Sequence, residues 1–194
     1  MKRVVLYFGS FNPVHRGHIA LAEYVIADGF ADEVILIVSP QNPFKQSADL
    51  APEFSRYEMC QMACESSLYP DKIKVSAVEF TLPRPSYTID TLRFLSENFG
   101  DQMQFSILMG ADNVDGFDRW KEHEQILQNY PILVYPREGY SIAKLADRVV
   151  YLENAPLFNH SATDVRKAVA EGREISDMVV SEVEDYIRKN KIYE

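Results

Sequence analysis

The segment GSFNPVHRGH (residues 9–18) follows an apolar, β-branched run, RVVLYF (residues 3–8), and leads into the helical pattern HIALAEYVIAD (residues 18–28). The run predicts a buried strand, and the glycines and proline of the segment predict a tight turn into a helix. Backbone N–H groups at a helix start, with the positive end of the helix dipole, favour a bound anion. His15 and His18 lie about one helical turn apart and add side-chain donors on the same side. The segment therefore predicts a phosphate-binding corner.

Short apolar runs alternate with helical patterns along most of the chain. Five further runs predict strands: EVILIVS (33–39), IKVSAVEF (73–80), QFSILMG (104–110), PILVYP (131–136) and RVVYL (148–152). Helical spacing predicts helices at 53–67, 88–99 and 120–129 and two C-terminal helices at 161–172 and 179–190. Most runs are continuously apolar, as expected of strands covered by helices on both faces. These patterns predict an α/β fold with a doubly wound, mainly parallel sheet of about six strands and C-terminal helices.

The length and the linkers indicate one folding unit. A chain of 194 residues is long enough for one full-sized core and too short for two. Because no segment is rich enough in Pro, Gly or Ser to separate domains, we predict a single domain over residues 1–194 that includes the helical segment 161–194. The longest irregular piece, residues 40–52, follows a strand and is well placed to contact a ligand at the carboxyl edge of the sheet.

Composition and charge exclude several classes of function. A net charge of −9 argues against nonspecific nucleic-acid binding, and no apolar run reaches the ~18–20 residues of a membrane span. The N-terminal segment reaches Pro13 too early for a signal peptide, so we expect a cytoplasmic protein without membrane or nucleic-acid partners. We interpret Cys60 and Cys64 as reduced core residues. The sequence leaves the oligomeric state open, a homo-oligomer included.

The histidine pair has two other interpretations. His15 and His18 could serve as turn residues that only cap backbone groups, or they could begin a zinc site. The zinc interpretation lacks further ligands nearby, because His123 and His160 are far away in sequence and no HExxH pattern occurs. The segment is neither a GxGxxG dinucleotide fingerprint nor a P-loop.

The same segment, GSFNPVHRGH, resembles the (H/T)xGH signature of the nucleotidyltransferase superfamily, whose members share a Rossmann-like fold. Within it, the chain resembles the bacterial nicotinate-nucleotide adenylyltransferases, which make deamido-NAD from ATP and nicotinate mononucleotide. Family members usually read GGSFDPxHxGH, whereas this chain has Tyr7-Phe8-Gly9 at the paired glycines and Asn12 at the aspartate. The resemblance implies that His15 and His18 are catalytic. It also implies ATP contacts in the turn, from Gly9, Ser10 and Phe11.

The segment NHSATDVRKAV resembles the family's ISSTxxR motif. In the family this motif holds the ATP phosphates, which assigns Ser161, Thr163 and Arg166 to ATP binding. Ala162 replaces the second serine and removes one possible donor. Without the resemblance, the same residues would be interpreted as a helix N-cap followed by a surface arginine.

Two segments indicate the identity of the second substrate. PSYTIDTLRFL (residues 85–95) resembles the family's SYT segment, which implies mononucleotide contacts from Ser86, Tyr87 and Thr88 and a nicotinate carboxylate held by the Thr88 backbone. Locally, Ser86 and Thr88 are also ordinary helix-capping candidates.

ILMGADNVDGFDRWKEHEQIL resembles the family's pattern at the end of the fourth strand. It implies that Gly110 and Asp112 contact ATP, that Trp120 stacks on the nicotinate ring and that the Lys121 backbone completes the carboxylate contact. A lone tryptophan is otherwise more often a core residue.

Two further cations are candidates for the triphosphate. Lys45 lies in PQNPFK, which resembles the family's PxxPHK element with Phe44 in place of its histidine, and Arg137 follows the fifth strand. An exposed lysine in a loop is usually only solvated.

The resemblance implies an in-line displacement between the two substrates, ATP and nicotinate mononucleotide. Mg²⁺ is the expected cofactor, held mainly by the nucleotide and water rather than by protein ligands. Two alternatives remain. One is a sister adenylyltransferase for nicotinamide mononucleotide or phosphopantetheine; His15, the SYT segment and Trp120 argue against the phosphopantetheine enzyme. The other is a nucleotide-binding module without catalysis, which the two histidines, Arg166 and Lys45 argue against.

Overall fold

A computed structural model describes residues 1–40 and 50–194. Its centre is a six-stranded sheet with the strand order β3-β2-β1-β4-β5-β6, in which every neighbouring pair is parallel. The strands are β1 (Lys2–Gly9), β2 (Glu33–Val38), β3 (Ile73–Ser76), β4 (Met103–Gly110), β5 (Ile132–Tyr135) and β6 (Val150–Tyr151). The chain winds outward from β1 in one direction and then from β4 in the other. This order confirms the predicted α/β, Rossmann-like doubly wound fold.

Six α-helices flank the sheet in the described chain. They are α1 (Arg16–Ala27), α2 (Glu53–Glu65), α3 (Thr88–Phe99), α4 (His123–Asn129), α5 (Ala162–Ala170) and α6 (Ser181–Asn190). All six correspond to predicted helices, and α3 has the predicted limits. No helix among the described residues combines the length and the apolar character needed to cross a bilayer.

Two apolar layers cover the sheet and position its upper edge. Val5 and Tyr7 of β1 belong to the layer beneath α1, α2, α5 and α6, whereas Val4 and Leu6 belong to the layer beneath α3 and α4. The buried residues of α5 and α6 lie in the first layer, so the C-terminal helices pack against the same sheet as the rest of the chain. Cys60 and Cys64 of α2 are buried, unpaired members of this layer, and burial raises the pKa of both thiols.

Two predicted limits were wrong. The third predicted strand, residues 73–80, ends at Ser76, because a hydrogen bond from the Val78 N–H to Ser76 Oγ turns the backbone into a short 3₁₀ helix, Val78–Phe80. The predicted helix over 120–129 begins only at His123. A 3₁₀ helix occupies Ala111–Arg119, and the extended backbone of the next residue, Trp120, separates it from α4. The helical periodicity of the sequence gives no sign of this break.

The sheet places its ligand-binding edge where the two halves diverge. β1 lies between β2 and β4, and Gly9 at its end is in register with Val38, while Tyr7 is in register with Leu108. Crevices at such a switch point, beyond the carboxyl ends of the strands, are the usual ligand sites of open α/β sheets. The corner after β1, the loop after β4 and the start of α3 all meet there.

Candidate active site

The two histidines of the first corner are fixed by backbone hydrogen bonds. His15 is the N-cap of α1, and its Nδ1 accepts from the Gly17 N–H at 3.1 Å. His18 Nδ1 accepts from the His15 N–H, also at 3.1 Å. The imidazoles stack with centroids 3.7 Å apart, and Phe158 stacks on the outer face of His15 at 5.4 Å. Gly17 permits this packing, because a Cβ there would lie 2.7 Å from the Phe158 side chain.

These contacts determine the tautomer and charge of both rings. Because Nδ1 is an acceptor in each ring, the proton of the neutral imidazole resides on Nε2. Burial, with the charges of Arg137 and His160, lowers the pKa of His15 to about 4. Burial, with the charges of His15 and Arg137, holds the pKa of His18 well below its ordinary value. Both residues are therefore neutral Nε2–H donors at pH 7, so the capping interpretation and the phosphate-donor interpretation are compatible.

Both imidazoles line an open cavity of about 480 Å³, which we call the histidine cavity. It is also lined by Arg137 after β5 and by the segment that precedes α5, including Phe158, His160 and Ser161. Three imidazoles and a guanidinium thus face one space, although His160 is 142 positions beyond His18. Such a set of donors suits a polyanion.

The start of α5 is capped by its own side chains. Ser161 Oγ accepts from the Asp164 N–H at 3.2 Å, and Asp164 Oδ2 accepts from the Ser161 N–H at 2.7 Å. Arg166 donates from Nη1 to the Asn12 carbonyl at 2.8 Å and from Nη2 to Thr163 Oγ1 at 3.2 Å. Ser161 and Asp164 line the histidine cavity, whereas Thr163 and Arg166 lie outside its described lining. The structure thus brings the SATDVR motif to the first corner, with Arg166 turned toward the backbone of that corner.

The five residues predicted to contact the mononucleotide come together in a second cavity of about 360 Å³, which we call the tryptophan cavity. Its described lining includes Ser86, Tyr87, Thr88, Trp120 and Lys121. Tyr87 is the N-cap of α3 and Thr88 its first residue, and among the described residues no side chain caps this helix. The alternative interpretation of Ser86 and Thr88 as capping residues is therefore wrong. The uncapped helix start faces a cavity with its N–H groups available to an anion.

Neighbouring side chains fix the positions of Trp120 and Lys121. The Trp120 ring packs against Phe117, with centroids 5.1 Å apart, and is partly exposed. Trp120 therefore lies at the edge of the core rather than inside it. Lys121 Nζ pairs with Asp90 of α3 at 2.8 Å and lies 4.9 Å from the Tyr87 ring centre. These contacts connect the Trp120 segment to the start of α3.

A buried carboxylate in the tryptophan cavity was not found from the sequence. Glu79 is 1% exposed and accepts hydrogen bonds from Ser39 Oγ at 2.9 Å and Thr91 Oγ1 at 2.8 Å. Burial raises the pKa of Glu79, against the effect of these hydroxyls and of Ser86. Ser86 Oγ is itself buried and has no hydrogen-bond partner of ordinary geometry within the described part of the chain. Glu79 therefore connects the end of β2 to α3 directly beneath the uncapped helix start.

The two cavities meet at three shared residues: Tyr7, Asp112 and Tyr135 line both. The hydroxyls of Tyr7 and Tyr135 lie 3.1 Å apart, and the Arg137 guanidinium lies 5.4 Å from the Tyr135 ring centre and 3.6 Å from Asp112 Oδ1. Gly110, predicted to contact ATP, lies on the tryptophan side of this boundary. A Cβ at Gly110 would lie 2.3 Å from Asp112 Oδ1, so a larger residue there would displace the Asp112 side chain from its present position.

The remaining residues of the first corner are structural in their side chains. Phe11 is 3% exposed and packs edge-on against Tyr7 and His18, so only its backbone can reach a ligand. Gly9 lines the tryptophan cavity, and Ser10 is connected through its carbonyl to the buried Arg56. Lys45 lies outside the described residues.

Arg56 is a second residue that the sequence did not indicate. It has no exposed surface, and its guanidinium donates to the carbonyls of Ser10, Ser39, Pro40 and Ala51 at 2.6–3.1 Å. One side chain thus connects the first corner, the end of β2 and the residues just before α2.

Protein ligands for a metal are not grouped in this region. Within residues 1–40 and 50–194, no three His, Cys, Asp or Glu side chains are arranged to hold a metal ion. In the histidine cavity, Asp164 is occupied by Ser161 and Asp112 lies beside Arg137.

Comparison with known proteins agrees with this geometry. Residues 6–168 match the model of the cytidylyltransferase-like family. A probable nicotinate-nucleotide adenylyltransferase of Cytophaga hutchinsonii is 42% identical over 192 residues, which are 98% of each chain. One from Bacteroides fragilis is 44% identical over 171 residues, 88% of this chain and 83% of the relative. The chain belongs to the nicotinate-nucleotide adenylyltransferase family. Among solved structures, the Plasmodium falciparum nicotinic acid mononucleotide adenylyltransferase complexed with NaAD has the same fold, with a TM-score of 0.83, 19% identity and coverage of 100% of this chain and 98% of the other.

The chain's departures from the adenylyltransferase family's usual motifs now have structural positions. Asn12 is 7% exposed, and its Oδ1 accepts from the Ala51 N–H at 3.0 Å and from the Tyr193 hydroxyl at 2.7 Å. An uncharged amide therefore joins the corner to the C-terminal segment. Phe8, which replaces the first of the paired glycines, lines the tryptophan cavity. Asp164 could have been found from sequence, because SxxD is a capping-box pattern.

Proposed function

We propose that the protein transfers the adenylyl group of ATP to nicotinate mononucleotide, forming deamido-NAD and pyrophosphate. The observation that carries this proposal is the pair of adjoining cavities, one with two neutral imidazoles and the other with Trp120 and the uncapped start of α3. The names of relatives that are 34–44% identical over most of the chain support the same reaction.

In this arrangement each cavity receives one substrate. The triphosphate of ATP occupies the histidine cavity, and the nicotinate ring of the mononucleotide lies against Trp120. Because Tyr7, Asp112 and Tyr135 line both cavities, the mononucleotide phosphate and the ATP α-phosphate meet at this boundary. Aligning two anions that repel each other is itself a large part of catalysis.

The chemical step needs no protein nucleophile. A phosphate oxygen of the mononucleotide forms a bond to the α-phosphorus of ATP, and the bond from that phosphorus to the bridging oxygen breaks as pyrophosphate leaves. The Nε2–H groups of His15 and His18 donate hydrogen bonds to the phosphate oxygens on which charge accumulates. Their low pKa values support a role as hydrogen-bond donors that stay neutral. Donors fixed by backbone contacts before the substrate arrives need little reorganisation in the transition state.

Other polar groups steady the leaving group and the adenosine. Arg137 lines the histidine cavity and supplies a cation for the departing pyrophosphate. Ser161 lines the same cavity. We assign Thr163 and Arg166, from the same motif, to ATP binding as well. Arg166 also holds the first corner in place through its hydrogen bond to the Asn12 carbonyl. Gly9, Ser10, Phe11, Gly110 and Asp112 remain proposed ATP contacts, as does Lys45.

Magnesium enters as part of the substrate, MgATP. Phosphates and water supply its ligands, because Mg²⁺ retains several waters and usually takes few protein ligands. Two carboxylates of the histidine cavity, Asp164 and Asp112, already have polar partners, which supports this assignment.

The start of α3 supplies selectivity for the acid over the amide. A nicotinate carboxylate accepts hydrogen bonds from the free N–H groups at Thr88 and benefits from the helix dipole, whereas a carboxamide gains less from both. The Lys121 backbone and the Ser86 hydroxyl lie in the same cavity.

A substrate comparison tests the proposal. Purified protein with MgATP is given nicotinate mononucleotide, nicotinamide mononucleotide or phosphopantetheine at equal concentrations, and pyrophosphate release is followed. We expect nicotinate mononucleotide to react at least about tenfold faster than the amide, a difference of about 1.4 kcal/mol. Release with phosphopantetheine alone would identify a sister enzyme, and tight ATP binding with no release from any acceptor would identify a binding module.

A further inference from the structure

His160 stands out among the residues of the histidine cavity. It occupies the position of the isoleucine in the family's ISSTxxR motif, two residues before Ala162, where the motif's second serine is missing. An imidazole thus replaces an aliphatic side chain in the same motif that has lost a hydroxyl donor.

The contacts of His160 place its ring at the outer wall of the cavity. It lines the cavity with His15, His18 and Ser161, and its ring packs edge-on against Phe158 at 5.7 Å. Its side chain is 35% exposed, whereas His15 is 7% exposed. Phe158 therefore separates two imidazoles that face the same space, one deep and one at the rim.

Charged groups from four parts of the chain surround His160. Asp177 Oδ2 lies 3.6 Å from Nε2, at ion-pair distance, and Asp164 at the start of α5 interacts with the same ring. His15 lies on the other side, with a pKa that is lowered in part by His160. Arg137 and Glu138, which follow β5, line the same cavity.

We propose that His160 is a further phosphate-binding residue, whose imidazole contacts the outer phosphates of ATP and the pyrophosphate product. This role rests on the proposed function. The deep histidines serve the α-phosphate, and the rim position of His160 suits the part of the triphosphate that extends toward solvent. The chain thereby regains in His160 the donor that it lacks at Ala162.

Direct binding of inorganic pyrophosphate, with magnesium present, tests the proposal without relying on turnover. Calorimetric titrations compare wild type with His160→Ile, which restores the family residue, and His160→Gln, which keeps an uncharged donor. At pH 6.5 we expect His160→Ile to raise the Kd about fivefold and to raise the KM for ATP similarly, with little change in the KM for the mononucleotide. His160→Gln should fall between the two.

The KM values separate a phosphate contact from a packing effect. A lost contact with the outer phosphates raises the KM for ATP and the Kd of pyrophosphate together, whereas a packing change at the rim of the cavity would not be confined to ATP. Lys167→Ala, an exposed change on the same helix, is the matched control and should bind pyrophosphate as wild type does.

Equal pyrophosphate affinity in wild type and His160→Ile overturns the proposal, as does an equal rise of the KM for ATP and the KM for the mononucleotide in His160→Ile. Failure of the wild type to bind pyrophosphate also overturns it. A different result tests the proposed function: it is rejected if wild type with MgATP and nicotinate mononucleotide releases no pyrophosphate. If wild type turns over and His160→Ile has the same KM for ATP as wild type, only the role of His160 is rejected.

Discussion

Arg166 and Asn12 are 154 residues apart in sequence and joined by a 2.8 Å hydrogen bond from the guanidinium to the backbone carbonyl. This contact connects the two motifs that we propose bind ATP, one before α1 and the other in α5. The arginine therefore fixes the position of the first corner relative to the α5 start, in addition to any contact with phosphate.

Replacing Arg166 should thus affect folding as well as turnover. Arg166→Met removes a charged donor from a carbonyl in the corner, and we expect the free energy of unfolding to fall by about 1.5–3 kcal/mol along with kcat. Arg166→Lys keeps the charge and one donor group and should recover part of both. Chemical denaturation and pyrophosphate release measure the two effects. An Arg166→Met protein of wild-type stability with a raised KM for ATP would show that the arginine serves only the phosphate.

A substitution at His18 can separate the role of Nδ1 as an acceptor from the role of Nε2–H as a donor. In His18→Asn, the side-chain oxygen takes the place of Nδ1 and still accepts from the His15 N–H, but nothing replaces the Nε2–H donor. We expect kcat to fall about 100-fold, or about 3 kcal/mol, with the unfolding midpoint nearly unchanged. Steady-state kinetics and thermal denaturation provide the two readings.

His18→Ala is the comparison for that experiment. It removes both nitrogens and leaves the His15 N–H without its acceptor, so it should lose stability by about 1–3 kcal/mol as well as activity. Near-normal turnover in His18→Asn would remove this imidazole from the chemical step.

The parts of the fold and site that the sequence predicted are those encoded locally. Alternating apolar runs and helical periods predicted all six strands and six α-helices, because each such pattern reports a face that must be buried. The strand–turn–helix corner with His15 and His18 was recognisable for the same reason. The five residues of the SYT and Trp120 segments came together in one cavity.

The parts that were missed depend on contacts between distant segments. Arg56 lies in an ordinary amphipathic helix, and only the folded chain places it beneath the carbonyls of Ser10 and Ser39. Glu79 lies at the end of the run IKVSAVEF (73–80), which predicts a strand. His160 was set aside as far away in sequence, yet the fold returns it to His15. No local period encodes such pairings.

Stability should depend on pH through His15. The unfolded chain binds a proton at this residue near pH 6.5, whereas the folded chain does so only near pH 4. The stability that the neutral His15 contributes is present above pH 6.5 and is lost as the pH falls toward 4. At pH 5 the loss is about 2 kcal/mol.

His15→Asn isolates this effect, because asparagine is a good N-cap that does not titrate. The difference in unfolding free energy between wild type and His15→Asn, from urea titrations at pH 7 and pH 5, should shift by about 2 kcal/mol against wild type at the lower pH. A difference that stays constant with pH would mean that His15 protonates equally well in the folded protein.

Trp120 provides a direct signal for the second substrate. It is the chain's only tryptophan, so its fluorescence reports the tryptophan cavity alone. Nicotinate mononucleotide should quench this fluorescence with a saturating curve, because the pyridine ring stacks on the indole. Trp120→Ala should raise the KM for the mononucleotide about tenfold, for the loss of roughly 1.4 kcal/mol of stacking and burial, with the KM for ATP little changed. A change confined to ATP would place the adenine, not the nicotinate, at this residue.

Arg56 is the residue on which the largest loss of stability is expected. Its side chain is fully buried, and the guanidinium donates to four backbone carbonyls. Arg56→Met leaves these acceptors unpaired, and at about 1–3 kcal/mol for each buried polar group the free energy of unfolding should fall by at least about 4 kcal/mol. Arg93→Met is the matched control, because Arg93 makes an exposed ion pair with Glu122, and exposed ion pairs contribute little to stability. Urea denaturation of the two variants measures the contrast. Similar small losses in both would show that the carbonyls around Arg56 find other partners, and the first corner would then not depend on this side chain.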